Sequence, residues 1–89
     1  MKVKYFAYIR DYTKSKEIDF QYCETVEELL LGLSDYYGEK FRNKIFKENM
    51  LSDEMIILVN GRHIIHLDGI HTNLNEEDEI CIFPVVAGG

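Results

Sequence analysis

One segment of this chain carries the marks of a helix at both ends. Thr25 and Glu28 form a Thr-x-x-Glu capping box, in which each side chain can satisfy a backbone donor at the helix start. Glu27 and Glu28 also set negative charge at the positive end of the helix dipole. Val26, Leu29, Leu30, Leu33 and Tyr37 recur at helical spacing and make one apolar stripe. Gly38 stands where a helix can close in a left-handed conformation. The pattern predicts a helix starting at Thr25, ending near Gly38 and packed by Val26, Leu29, Leu30 and Leu33. A single apolar stripe has to lie on a second layer, and the flanking segments supply strands.

Residues 2–9 alternate strictly, with Val3, Tyr5, Ala7 and Ile9 on one side and Lys2, Lys4, Phe6 and Tyr8 on the other. Residues 16–22 place Ile18, Phe20 and Tyr22 in phase, and the polar stretch Asp11–Ser15 between the two reads as the turn of an antiparallel hairpin. Beyond the helix, residues 39–53 hold Phe41, Ile45 and Phe46 among lysines and arginine, a covering segment of undetermined form. Met55–Val59 is a near-continuous apolar run, as in a strand buried on both faces. Asn60-Gly61 follows, the strongest short hairpin signal, with 62–67 as the short return strand. A final strand at about 79–83 ends at Pro84. The order is strand, strand, helix, strand, short strand, strand. It predicts an α+β, β-grasp (ubiquitin-like) domain over residues 1–89, with one main helix across one face of a mixed sheet.

Eighty-nine residues suit one domain, and 46% hydrophobic content is enough for a core. A net charge of −6 argues against nucleic acid or an anionic membrane as partner. The start Met1-Lys2-Val3-Lys4 lacks the apolar stretch of a signal peptide, so the cytoplasm is the expected compartment. Cys23 and Cys81 sit among apolar or aromatic neighbours, the setting of buried thiols acting as small hydrophobes.

The chain closes on Val86-Ala87-Gly88-Gly89. Without Cβ atoms, two glycines can enter a channel too narrow for side chains, as a reactive C-terminus would have to. A frayed end reads the same by position alone. The expectation is a flexible tail over about 84–89.

Phe83-Pro84-Val85-Val86-Ala87-Gly88-Gly89 resembles the closing motif of the small subunit of molybdopterin synthase, the MoaD-type ubiquitin-like sulfur carriers of the MoaD/ThiS superfamily. Phe6-Ala7-Tyr8-Ile9-Arg10, Val59-Asn60-Gly61-Arg62, and Leu74 followed by Asp78-Glu79-Ile80 are similar in order and spacing. One departure is Val85, where many members carry a second proline.

The resemblance implies a carrier that is no enzyme by itself. An E1-like adenylating enzyme would use ATP to convert the Gly89 carboxylate to an acyl-adenylate, and a sulfur donor system would turn that into a thiocarboxylate. The carrier would then dock on a large, MoaE-like synthase subunit and deliver sulfur for the dithiolene of a molybdenum or tungsten cofactor. It implies no bound cofactor. Gly88 and Gly89 would carry the chemistry, while Pro84, Val85, Val86 and Ala87 would thread into the partner. Two other readings share the fold and tail: a modifier joined through Gly89 to lysines of targets, and a sulfur carrier for thiamine or transfer RNA. A plain interaction module with an incidental tail is a third.

The docking face follows from alternation as well. If Ile80 and Ile82 face the helix, Cys81 and Phe83 join Phe6 and Tyr8 on the uncovered face, provided the first and last strands are neighbours. The family also uses phenylalanines matching Phe6 and Phe83. An apolar patch with a charged rim marks a partner site, unless residues 39–53 fold over it as a second small core. His63 and His66 would point to opposite faces of a strand, so a shared ion would need a turn between them, and no metal site is expected. Glu76-Glu77-Asp78 lacks the alternating oxygen ligands of a calcium loop and reads as a solvated turn.

Overall fold

A computed structural model describes residues 1–85. Seven strands and three helices follow in chain order: β1 (Lys2–Tyr5), α1 (Ile9–Thr13), β2 (Glu17–Asp19), α2 (Val26–Tyr37), α3 (Glu39–Ile45), β3 (Phe46–Lys47), β4 (Met50–Leu51), β5 (Met55–Val59), β6 (Arg62–His63) and β7 (Glu79–Pro84). Five strands make a mixed sheet in the order β2-β1-β7-β5-β6, and β3 and β4 form a separate hairpin. β1 runs parallel to β7 at the centre, with Lys2, Val3, Lys4 and Tyr5 opposite Glu79, Ile80, Cys81 and Ile82. The other pairings are antiparallel. This is the β-grasp arrangement that the order of elements predicts.

The expected stripe of α2 supplies the core. Val26, Leu29, Leu30 and Leu33 are fully buried, against Val3, Tyr5, Ile57, Ile80 and Ile82 of the sheet. Thr25 caps the helix by accepting from the Glu28 backbone N–H at 3.2 Å. The Glu28 carboxylate reaches back one residue further than in a standard capping box, to the Glu24 N–H at 3.0 Å. Gly38 ends the helix with positive φ as expected, but its ψ is −174°, outside the left-handed helical region. That backbone turns the chain directly into α3, whose Arg42 N–H bonds the Gly38 carbonyl at 3.0 Å.

Residues 39–53 thus resolve into a helix and a hairpin. Phe41 and Ile45 of α3 are buried, and the Phe41 ring packs against both Tyr5 and Tyr37. Tyr5 belongs to the helix-facing core, so α3 extends that layer and leaves the opposite face of the sheet open. Glu48 and Asn49 take positive φ at the tip of the β3–β4 hairpin.

Several expected boundaries shift. The strand expected over 2–9 stops at Tyr5: Ala7 adopts φ 53°, and Ile9 to Thr13 coil into α1. Ile9 and Thr13, four apart, are both buried, which alternation alone does not reveal. The strand expected over 16–22 is only Glu17–Asp19, although the Phe20 N–H still bonds the Met1 carbonyl. β5 is buried on one face, through Met55, Ile57 and Val59, while Ile56 and Leu58 are half-buried on the other. The return strand expected over 62–67 ends at His63, and 3-10 turns follow at Ile64–His66 and Gly69–His71. Pro84 is the last residue of β7, opposite Met55, where a missing N–H costs the ladder least.

Candidate docking face and tail exit

The register fixes what the open face presents. Lys4, Cys81, Leu58 and His63 are successive cross-strand partners from β1 to β6, and Phe83 lies opposite Ile56 in the next row. Phe6, just past β1, donates its N–H to the Ile82 carbonyl at 3.1 Å and so keeps its place beside β7. Its ring stacks on that of Phe83, with centroids 4.3 Å apart and planes 13° from parallel. Both rings are half-buried. The Arg10 guanidinium sits 5.6 Å from the Phe6 centroid, and its Nε donates to the Tyr5 carbonyl at 2.8 Å. Charge rims this centre, with Lys4 paired to Glu79 at 3.4 Å and Lys2 to Glu17 at 3.8 Å. The result is an aromatic and aliphatic patch with an ionic border.

Tyr8 does not share that face. The left-handed Ala7 swings it off the sheet to the start of α1, where it is exposed. The Lys44 ammonium lies 5.6 Å from the Tyr8 centroid and 5.9 Å from that of Tyr12. These side chains line an open cleft with Asp11, Asp53, Glu54 and Val85. Reading residues 2–9 as one strand missed this cleft, because the turn at Ala7 carries no Gly, Asn or Pro to signal it.

The end of β7 is held firmly. Pro84 is buried, and the Val85 N–H donates to the Glu54 carbonyl at 2.7 Å. A second proline at this position, which lacks an N–H, would forfeit that bond. Val85 itself is 46% exposed. Val86, Ala87, Gly88 and Gly89 lie outside the described residues.

Neither cysteine is placed for thiolate chemistry. Both are free; Cys23 is buried and Cys81 half-buried on the open face. Burial pushes the Cys23 thiol up, and Glu28 adds to it. Burial does the same at Cys81, and the Glu79 carboxylate, an acceptor 3.9 Å away, outweighs nearby Lys4. Both thiols are therefore held protonated and weakly nucleophilic. The 3-10 turn after β6 brings the His63 and His66 rings within 6.1 Å. However, His63 Nδ1 accepts the Ile65 N–H at 3.1 Å, so the neutral ring carries its proton on Nε2 and offers a metal no lone pair there. Among the described residues no group of three or more His, Cys, Asp or Glu is arranged to hold a metal ion. Asp78, expected in a solvated turn, is buried: its carboxylate accepts from the Asn60 side chain and the Asn75 N–H, both at 2.8 Å, and ties the acidic turn to the β5–β6 hairpin. No helix among the described residues is long and apolar enough to cross a membrane.

Known proteins share this geometry. The ThiS family matches residues 3–89 of the chain. Small archaeal modifier protein 3 of Haloferax volcanii is 30% identical over 91 aligned residues, covering 100% of this chain and 98% of that protein. A candidate sulfur carrier protein of Archaeoglobus fulgidus is 35% identical over 65 residues, covering 73% of this chain and 74% of the other. The solution structure of small archaeal modifier protein 1 from Methanosarcina acetivorans superposes with a TM-score of 0.89 at 37% identity, over 99% of this chain and 94% of that one.

Proposed function

Because the chain belongs to the ThiS family of ubiquitin-like proteins, we propose that it is a sulfur carrier whose reactive group is the carboxylate of Gly89. The observation that carries this reading is the stacked, half-exposed Phe6–Phe83 pair, on a sheet face that no helix among the described residues covers and one residue before the pinned exit at Pro84 and Val85. A partner that covers the pair is thereby set to receive the residues that follow.

The chemistry follows from the carboxylate. It is a poor electrophile until an adenylating enzyme joins it to AMP, releasing pyrophosphate from ATP. Hydrosulfide released by a sulfur donor then attacks the acyl carbon, AMP leaves with the bonding pair, and loss of the remaining proton gives a thiocarboxylate at Gly89. Docking through the folded domain turns the later transfer into an effectively intramolecular step. The carrier brings the sulfur and the docking surface, and the partner brings the catalytic side chains. The acceptor we assign is the pterin precursor of a molybdenum or tungsten cofactor, reached on a MoaE-like large subunit.

A second reading is favoured by the modifier proteins among the relatives, at 30% and 37% identity. In it the same activated Gly89 is attacked by a lysine amine of a target and forms an isopeptide bond. Reconstitution separates the two. With the cognate adenylating enzyme, ATP and a sulfur source, the carrier gains one oxygen-for-sulfur exchange at Gly89. Adding the large subunit and the pterin precursor then yields dithiolene. Target proteins that instead gain the mass of the carrier, through isopeptide bonds to lysine, establish the modifier role and overturn sulfur delivery as its function.

A further inference from the structure

The tail exit has a second flank, opposite the Tyr8–Lys44 cleft. Met55, Ile56, Ile64, Ile65, Ile70 and Val85 line an apolar groove of about 440 Å³. The groove exists because β6 pairs with only Leu58 and Val59, so the edge of β5 from Met55 to Ile57 has no strand beside it. The chain passes into 3-10 turns there instead, and these turns carry Ile64, Ile65 and Ile70. Ile65 is 71% exposed, a large apolar side chain held in water beside a half-exposed valine. Asp53 stands at the rim of both the groove and the Tyr8–Lys44 cleft. It enters none of the ion pairs among the described residues.

What fills the groove is constrained by chain length. Gly89, the reactive residue on the reading above, stands four residues after Val85, and fully extended these span at most about 14 Å. An enzyme that closes on Gly89 must therefore bring its own surface up to Val85, which is a wall of this groove. The groove also continues onto the open face, since Ile56 belongs to both. The charge at its rim is negative and unpaired. An apolar groove beside a strand edge that β6 leaves unpaired suits an extended segment.

Resting on the reading of Gly89 as the reactive end, we infer that this groove receives an extended apolar segment of the enzyme that adenylates the tail, with a lysine or arginine of that segment set against Asp53. The partner's apolar residue removes Ile65 and Ile70 from water. Its cation meets Asp53 next to Val85, which orients the segment along the tail. The sheet face then supplies most of the contact area, and the groove supplies the register that aims the tail.

The test uses the full chain and the purified adenylating enzyme of the same organism, with Kd measured by calorimetry and AMP incorporation read separately. Ile65→Asp, at an exposed position, should weaken the complex by about tenfold or more, as loss of a buried anchor does. Asp53→Lys should weaken it several-fold at low salt and less at high salt. Amide spectra of both variants check that the fold is kept. A carrier lacking Gly89 should still bind within a few-fold of the full chain, yet take no AMP. Should Ile65→Asp and Ile70→Asp both bind as tightly as the parent while the parent is adenylated, the groove proposal fails and the Gly89 reading stands. A parent that binds but is never adenylated overturns the Gly89 reading instead, and a loss of binding in Ile65→Asp still supports the groove. If Ile65→Asp abolishes a dimer of the carrier and leaves enzyme binding unchanged, the occupant is a second copy and the proposal is wrong.

Discussion

The Tyr5 hydroxyl donates to that of Tyr37 across 3.0 Å, joining strand β1 to the last turn of α2. The two rings meet edge to face at 5.7 Å, and Phe41 packs on both, so one aromatic cluster binds β1, α2 and α3 together. Burial, then the bond to Tyr37, pushes the Tyr5 phenol far above its ordinary value.

That shift has a sign. Above about pH 10 an unfolded tyrosine releases its proton, while folded Tyr5 keeps it. The native state then binds more protons than the unfolded one, and stability falls as pH rises. The raised thiols of Cys23 and Cys81 act in the same direction from slightly lower pH. The stability that Tyr5 contributes is thus complete below about pH 10 and is lost above it. Tyr5→Phe should cost about 1 kcal/mol at neutral pH and flatten the alkaline decline. Urea unfolding at a series of pH values checks both.

Gly38 offers a second test of the helix layer. Its φ of 103° with ψ of −174° is a region essentially reserved for glycine. A Cβ there would meet nothing within 4 Å, so the penalty for Gly38→Ala is backbone strain alone. Denaturant midpoints should report a loss of about 1–3 kcal/mol. A neutral result would mean that the α2–α3 junction relaxes without cost.

Legibility in the sequence divides along physical lines. The main helix was readable because cap, stripe and terminator all act within one segment: Thr25 caps it, Leu30 is buried, and Gly38 ends it, though with an extended ψ in place of the left-handed helical one. The mixed sheet with a helix across one face followed from topology rules that leave few alternatives, while the pairing of β1 with β7 stood only as a condition until the register showed it. What failed was anything decided by tertiary context. Ala7 has no intrinsic preference for positive φ, yet the burial of Ile9 and Thr13 pulls it there, and Tyr8 leaves the sheet face as a consequence. Ile64 and Ile65 read as strand, but β6 stops at His63 because the next residues turn inward to bury Ile64. Phe6 and Phe83 were visible as a pair by alternation, whereas the groove beside Val85 was not, since it is made by the absence of a strand that the pattern predicted.

The stacked pair predicts a separation of binding from stability. Phe83 is half-buried, stacks on Phe6 and lies outside the buried core cluster, so truncating it removes little from the core. Phe83→Ala should lower stability by under about 1.5 kcal/mol and weaken binding to the adenylating enzyme by more than about 1 kcal/mol. Calorimetric titration beside thermal unfolding measures the two. A large loss of stability with unchanged binding would identify the pair as a second small core rather than a docking surface.

The final prediction concerns where the sulfur resides. Both cysteine thiols are held protonated by burial and a nearby carboxylate, so neither is suited to attack a sulfur donor at neutral pH. Replacing Cys23 and Cys81 together by Ser should therefore leave the oxygen-for-sulfur exchange intact, as read by intact mass and fragmentation. Deleting Gly89, or adding one residue after it, should abolish the exchange, because the acyl carbon that reacts is then gone or displaced. Gly88→Val should act in the same way, since a branched side chain restricts the backbone and fills space that glycine leaves open. These tail variants should unfold at the same temperature as the parent, because the hydrogen bond that anchors the end of β7, from the Val85 N–H to the Glu54 carbonyl, lies upstream of every change. A sulfur that maps to either cysteine as a persulfide would make this chain a thiol-based carrier and overturn the role assigned to Gly89.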